Sequence, residues 1–570
     1  MDSGHAKGIG GRIPSRPAHL LRTAPWVISA LLCCAGPTQA QMSNAGALGN
    51  PAAGLTNPTD VNNNLDVSGL NATGPGQANG PPIPPLRIQG SVSLAGAYAT
   101  NAQGGSTPGT DGSDEYGQAM FQTSLRYNTR RTQTVGDYSF IGYYYAKFHS
   151  NNAYLNYLDL ASQTQVIPDH LILNVTAFAT PVLLNRTGAV SASGVPLSSA
   201  TGSNTYGYIV TPEYLFRVRD FLKSDTTFTQ EGIYFVSPFL NASNSISNNV
   251  SNASVTGASQ RFTSGDYFGR LNWSLYGDYQ KLKERSFHQL SKDGLLDLAY
   301  AIDHTFQLLA TGGYNQFEAN VPLNRALSGP EGLGGFLFTP SPSLKLMAKA
   351  GVRNRTATYI GSLHWELSPL TSVDGILDDG IYTPQGAMLN SYGAFGSSLL
   401  NPQFGISPIS PSPVISPAIS PQLGTVSPLL SQGLAINNFI YHDRLANVTL
   451  SHTLGRTNIG LTFYNDRRTQ LVAVPGAPPN GSLNGVTLSA NRQMRDDLNG
   501  YASVSYSSGN EFGGNDQILY TDIGVNWALT QTMSFFAYNR FLYRQGSGIS
   551  ITASYRTYDD ETIIGIRRNF

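Results

Sequence analysis

Past residue 40 the chain holds seven histidines: His149, His170, His288, His304, His364, His442 and His452. Imidazoles serve as general bases or metal ligands. Here none falls into HExxH or another tight ligand spacing, and no GxSxG nucleophile elbow occurs. The spacing therefore gives no catalytic residue, no metal site and no cofactor, and each histidine reads as a turn or lumen residue. A Ser–His or Asp–His pair within hydrogen-bond reach at a rim would reopen an enzymatic reading. The run "GTDGSDEYG" (109–117) supplies Asp111, Asp114 and Glu115, oxygen ligands that suit Ca²⁺, but not at the spacing of a defined calcium loop. It reads as a solvated outer loop.

Charges and tyrosines in alternating segments carry the remaining chemistry. Arg126, Lys147, Lys345, Lys349 and Arg353 read as facing one side of their segments, with Arg217, Arg219, Lys281 and Arg540 as further candidates. Rings of basic residues inside a pore favour anions. Asp137, Glu213, Asp278, Asp297, Asp466 and Asp522 lie on or near the same kind of segment. Mutual pairing of the two sets is the competing expectation, and a lumen filled by paired charges favours a structural barrel over a channel. Tyr143, Tyr145, Tyr501 and Tyr520 read inward too, either as platforms that stack on sugar rings or as fillers.

These residues need strands to position them. In "RIQGSVSLAGAYA", Ile88, Val92, Leu94 and Tyr98 alternate with Gln89, Ser91, Ser93 and Ala95. "AMFQTSLRY", "LKLMAKAGVR" and "QILYTDIGVNW" repeat that rhythm of two, which a strand presents as two faces and a helix cannot. Ten short turns, from 128–133 to 529–531, alternate with eleven mostly longer connections rich in Gly, Ser, Asn and Pro, as short periplasmic turns alternate with outer loops. The reading is an all-β, transmembrane, antiparallel up-and-down β-barrel of about 22 strands (18–22) over residues 87–570. A sandwich would split into domains. A parallel β-helix would show a fixed repeat, which is absent. The longest outer loop, 379–440, repeats Ile-Ser-Pro at 406–408, 409–411, 415–417 and 419–421. Proline favours extended chain there, as a lumen constriction or as a plain surface loop.

The N-terminus fits export. Lys7, Arg12, Arg16 and Arg22 precede "APWVISALLCCAG", then "PTQA", the layout of a cleaved signal peptide over residues 1–40. Cys33 and Cys34 would leave with it, removing every thiol. The 35 basic and 35 acidic residues fall to 31 and 34 once those four bases and Asp2 are gone, which excludes a charge-driven nucleic-acid binder. Residues 41–86, rich in Asn, Gly and Pro, read as a disordered periplasmic leader. No stretch after residue 40 has 18 consecutive apolar residues. The terminal "ETIIGIRRNF" places Ile564, Ile566 and Phe570 on one face, so Phe570 reads as a lipid-facing end and an assembly signal, while Arg568 snorkels to headgroups.

Five segments resemble the outer-membrane β-barrel proteins associated with exosortase and exopolysaccharide clusters, related to β-barrel porins. They are "QVIPDHLILNVTAFATPV" (165–182), "YIVTPEYLFRVR" (208–219), "DLAYAIDHTFQLLATGGYNQFE" (297–318), "GLGGFLFTPSPSLKLMAKAGVRN" (332–354) and "LSHTLGRTNIGLTFYNDRRTQL" (450–471). The chain departs from that pattern at 353–362, where an aromatic pair is expected after Arg353, and in the insert at 379–440. The resemblance implies a barrel in a Gram-negative outer membrane, a channel or export conduit linked to surface polysaccharide. It carries over no catalytic residue. The partners expected are outer-membrane lipid and lipopolysaccharide, barrel-assembly machinery and periplasmic chaperones during biogenesis, polysaccharide as cargo, and no nucleic acid. A structural or surface-interaction barrel with a closed lumen is the alternative.

Overall fold

The computed structural model describes residues 86–102, 112–183, 191–192, 202–238, 251–285, 288–321, 323, 327–383, 385–386, 389, 440–471, 480–511, 514–548 and 551–570. The signal peptide, the leader up to residue 85, Asp111 and the Ile-Ser-Pro repeats lie outside them.

The strands are β1 Leu86–Ala99, β2 Asp114–Asn128, β3 Thr132–Tyr145, β4 Ala153–Ile167, β5 Leu171–Leu183, β6 Gly202–Val218, β7 Leu222–Val236 and β8 Ala253–Ser264. Next come β9 Leu271–Glu284, β10 His288–Ala301, β11 Phe306–Ala319, β12 Gly329–Ser341, β13 Leu344–Arg353, β14 Thr356–Ser368 and β15 Thr371–Tyr382. The last are β16 Tyr441–Leu454, β17 Thr457–Gln470, β18 Gly481–Arg495, β19 Leu498–Glu511, β20 Gly514–Ala528, β21 Met533–Gly548 and β22 Ile551–Asn569. Each pairs antiparallel with its neighbours in sequence. β22 returns to β1 in the register Ser91↔Asn569 to Ala99↔Glu561, which closes the 22-stranded sheet. Closure leaves no strand edge unpaired, the condition for a sheet in hydrocarbon.

The alternation read in the sequence is the alternation of faces. On β1 Ile88, Val92, Leu94 and Tyr98 are exposed, while Ser91, Ser93, Ala97 and Ala99 are buried. Outward aromatics gather near both strand ends. Tyr98, Tyr144, Tyr234, Tyr314, Tyr359 and Tyr558 lie toward the outer ends, and Tyr127, Tyr214, Tyr267, Trp365, Trp527 and Phe570 toward the inner ones. Leu94, Leu275, Leu296, Val448, Ile523 and Ile564 are exposed between them. An apolar band between two aromatic girdles is the lipid-facing surface of an outer-membrane barrel, so this chain spans the outer membrane of a Gram-negative cell. Strands of 10 to 19 residues meet or exceed the roughly 9–11 that hydrocarbon requires.

The turns follow local chemistry. Asn354 (φ 51) and Arg355 (φ 58) form a two-residue hairpin with both central residues left-handed, the primed turn that matches strand twist. This tight outer hairpin occupies the place where the family pattern expects aromatics. At the inner turn before β11, the Asp303 carboxylate accepts from the Thr305 amide (2.6 Å), the Thr305 hydroxyl (2.7 Å) and the Phe306 amide (2.9 Å). These bonds hold its pKa below the usual carboxylate value. Phe570 is fastened by paired backbone bonds to Gly90 (2.9 and 3.0 Å), and its ring lies where a Gly90 side chain would stand. The terminal aromatic therefore completes the seam on its outward face, and Arg568 is exposed beside it.

Candidate functional site: the lumen wall

Side chains on the inward faces meet in the lumen, and the wall has two different characters. Across β19–β21, Asp522 accepts from Tyr501 (2.9 Å), Tyr520 (3.4 Å) and Arg540 Nε (3.1 Å). The guanidinium carbon of Arg540 lies 4.6 Å from the centre of the Tyr538 ring, and Arg540 and Asp522 are each about 1% exposed. One step outward, Arg544 forks onto both oxygens of Asp516 at 3.0 and 3.1 Å. Tyr116, Tyr143, Tyr145, Tyr157, Phe536 and Tyr538 pack into one buried cluster beside these pairs. Charges withdrawn from water here have partners, as burial requires.

The candidates read from the sequence are placed as follows. Arg126 bonds Asp137 at 3.2 Å. Lys349 donates to Asp297 (3.4 Å) and Thr311 (3.1 Å), and Arg353 to Glu331 (2.8 Å). Tyr520 and Asp522 join the sealed cluster above. Lys345 sits inward at the first turn of β13, half-buried. Tyr143 and Tyr145 point inward but are 2% and 0% exposed, so they present no ring face to a passing chain. Lys147 is not on a strand. β3 ends at Tyr145 because the Asp114 carboxylate captures the amides of Lys147 (2.9 Å) and Phe148 (2.8 Å) and turns the chain into a short 3-10 turn at His149–Asn151. The ammonium of Lys147 is exposed and donates to the Ser113 carbonyl. Lys281 is exposed on the outward face of β9.

Sequence reasoning missed Arg544, Asp516 and Asp559. On β21, "MSFFAYNRFLYRQGSG" puts aromatics on both faces, so the alternation there does not mark which side is inward. Asp559 ties two outer connections to β22. Its Oδ1 accepts from the Asn101 amide (3.0 Å) and its Oδ2 from the Ala192 amide (2.8 Å), and Ala192 packs on Ile518, Tyr520 and Leu542. The connection between β5 and β6 thus reaches across to β20–β22. At the far side Leu327, Leu389 and Ile440, from other outer connections, are buried among Ile233, Phe235, Val255 and Leu282 on the inward outer ends of β7–β9.

Among the described residues two Asp–His pairs stand within hydrogen-bond reach. His364 Nδ1 lies 2.7 Å from Asp374, and His442 Nε2 lies 2.5 Å from Asp379. The other nitrogen of His364 faces Glu366 at 3.6 Å rather than a hydroxyl. A ring flanked by carboxylates on both nitrogens has no nucleophile to activate. Among the described residues no group of three or more His, Cys, Asp or Glu could hold a metal ion.

The architecture defines a 22-stranded outer-membrane barrel. No family model matches the chain, and no curated protein matches it. Solved structures do match, each over 85% of this chain. The FrpB iron transporter from Neisseria meningitidis (F3-3 variant) shares 11% identity over 82% of its length, with a TM-score of 0.46. The ferripyoverdine receptor of the outer membrane of Pseudomonas aeruginosa shares 9% over 72%, at 0.45. The siderophore receptor PirA from Pseudomonas aeruginosa shares 8% over 80%, at 0.35. The barrel assigned here rests on its own register and closure.

Proposed function

We propose that the chain is an outer-membrane conduit whose outer mouth is narrowed by its own connections. The observation that carries this is the pair of hydrogen bonds that Asp559 accepts from the Asn101 and Ala192 amides, with Ala192 packed against the wall at Tyr520. A barrel of this strand number needs something inside it to be more than a hole, and here outer connections reach inward and are held by one carboxylate. The cargo on this reading is a solute or a polymer. The family resemblance favours polysaccharide, in a pathway of exopolysaccharide production or secretion. Lipid and lipopolysaccharide would surround the barrel, and assembly machinery would read Phe570.

The test is planar-bilayer conductance of the refolded protein, of Asp559→Ala, and of a deletion of residues 400–432. Ohmic steps that grow or lengthen in either variant are expected. No steps in any of the three would overturn the conduit. A second reading, a closed structural barrel with working outer loops, is favoured by the sealed Arg540–Asp522 and Arg544–Asp516 pairs.

A further inference from the structure

Sorting the inward charges by height separates them. Arg87, Arg126, Arg217, Lys223, Lys345 and Arg567 all lie within two residues of the periplasmic ends of their strands. Higher up, where Arg353, Arg540 and Arg544 already hold carboxylates, the inward face of β7–β10 carries Asp225, Glu231, Asp278, Asp293 and Glu284 against one cation, Arg261, which faces Asp225 across β7–β8 and lies over the Tyr276 ring. Asp278 and Asp293 stand directly opposite each other in the β9–β10 register. Like charges so placed repel and need a counter-charge. Glu231 is 7% exposed, and its Oε2 has no hydrogen-bond partner among the described residues. On β16 and β17 Arg468 serves two carboxylates, at 3.3 Å from Asp443 and 3.5 Å from Asp466, and each keeps an Oδ1 without a partner among the described residues.

The segment 384–439 contains no Asp, Glu, Lys or Arg. Clefts lined by one sign of charge with low-dielectric walls concentrate counter-ions, and rings of Asp and Glu select cations.

We propose that the lumen selects cations, with β7–β10 and β16–β17 as its selective surface and a basic ring at the periplasmic exit. The preferred solute is a hydrated inorganic or small organic cation, because the described carboxylates form no chelating group. This reverses the anion preference that the basic residues alone suggest. Of those cations, Lys349, Arg353 and Arg540 are matched by carboxylates, Arg126, Arg217 and Lys345 stand at the inner rim, and Lys147 and Lys281 lie outside the lumen wall.

The inference refines the conduit reading and rests on it for transport, but the charge of the wall can be read without conduction. Ser259 is half-buried and pairs with Asp278 across β8–β9. In Ser259→Cys, without the signal-peptide cysteines, a cationic methanethiosulfonate is expected to react on the order of tenfold faster than an anionic one, and the ratio falls as salt rises. Adding Glu231→Gln, Asp278→Asn and Asp293→Asn should bring the ratio near one, with heat-modifiable mobility confirming the folded barrel. In bilayers under a KCl gradient, the reversal potential should lie toward potassium. A labelling ratio of one or below in Ser259→Cys alone, or a reversal potential toward chloride, overturns the inference. Absence of steps in every form overturns the conduit alone, and the labelling ratio then decides the charge of the wall.

Discussion

Two stretches of one lumen wall handle charge in opposite ways. On β19–β21 each buried cation has its carboxylate: Arg540 with Asp522, Arg544 with Asp516, sealed among tyrosines. On β7–β10 Asp278 and Asp293 face each other, and one oxygen of Glu231 has no partner among the described residues. Both walls share the same strand alternation and the same membrane outside, so the backbone does not impose the difference. The first wall is a core that happens to lie inside a barrel. In the second, inward carboxylates outnumber the cations beside them.

The largest test of that contrast removes a carboxylate from the sealed wall. Asp522→Ala strands Arg540 in a site about 1% exposed and should cost about 3–5 kcal/mol of stability, measured by urea unfolding of the refolded barrel. Replacing both partners, Arg540→Met with Asp522→Leu, should recover most of it. If Asp522→Ala unfolds at the wild-type urea concentration, the sealed wall is not a core.

Packing gives the next effect. Gly524 is opposite Tyr501, and a Cβ there would fall 2.5 Å from the Tyr501 ring. Gly524→Ala should cost about 1–3 kcal/mol in the same assay. At Gly257, on the inward face of β8, the nearest atoms to a Cβ lie at 3.4 and 3.7 Å, ordinary contact distances, and the same change should be nearly silent. Equal costs at the two glycines would erase the difference between the walls.

Removing a carboxylate from the open wall should act in the other direction. Asp293→Asn relieves the opposition to Asp278 and is expected to leave stability unchanged or raise it by about 0.2–1 kcal/mol. A loss comparable to that of Asp522→Ala would mean that Asp293 has a structural counter-charge after all.

The smallest effect lies outside both walls. In the inner turn before β19, Arg495 and the Trp527 indole N–H donate to Asp497, lowering its pKa to about 2 from an ordinary 3.8. A depressed carboxylate stabilises the fold fully above its unfolded value and loses that contribution as pH falls through the folded one. The stability difference between wild type and Asp497→Asn should therefore be constant at neutral pH and vanish between about pH 4 and pH 2. A difference that persists below pH 2 would show that the asparagine acts through something other than charge.

Much of the fold was legible because alternation and turn rhythm are local. Val92 and Leu94 face lipid, Ser91 and Ser93 face the lumen, and ten inner turns with eleven outer connections give the 22 strands observed. The wall chemistry was only half legible. Alternation showed that Arg126, Lys349 and Arg353 face inward, but cross-strand register decides that Asp137, Asp297 and Glu331 meet them, and register is not visible along one strand. Lys147 was misplaced because Asp114, 33 residues away, ends β3 by capturing its amide. The tie between Asp559 and Ala192 spans 367 residues, and no local pattern announces it.

The most direct test of the two-wall account is thiol accessibility to a small neutral reagent at two matched serines. Ser503→Cys lies on the sealed wall, 1% exposed and opposite Asp522, and Ser259→Cys lies on the open one, opposite Asp278. The account predicts rapid modification at residue 259 and none at residue 503 while the barrel stays folded. Equal rates, or faster reaction at residue 503, would contradict it.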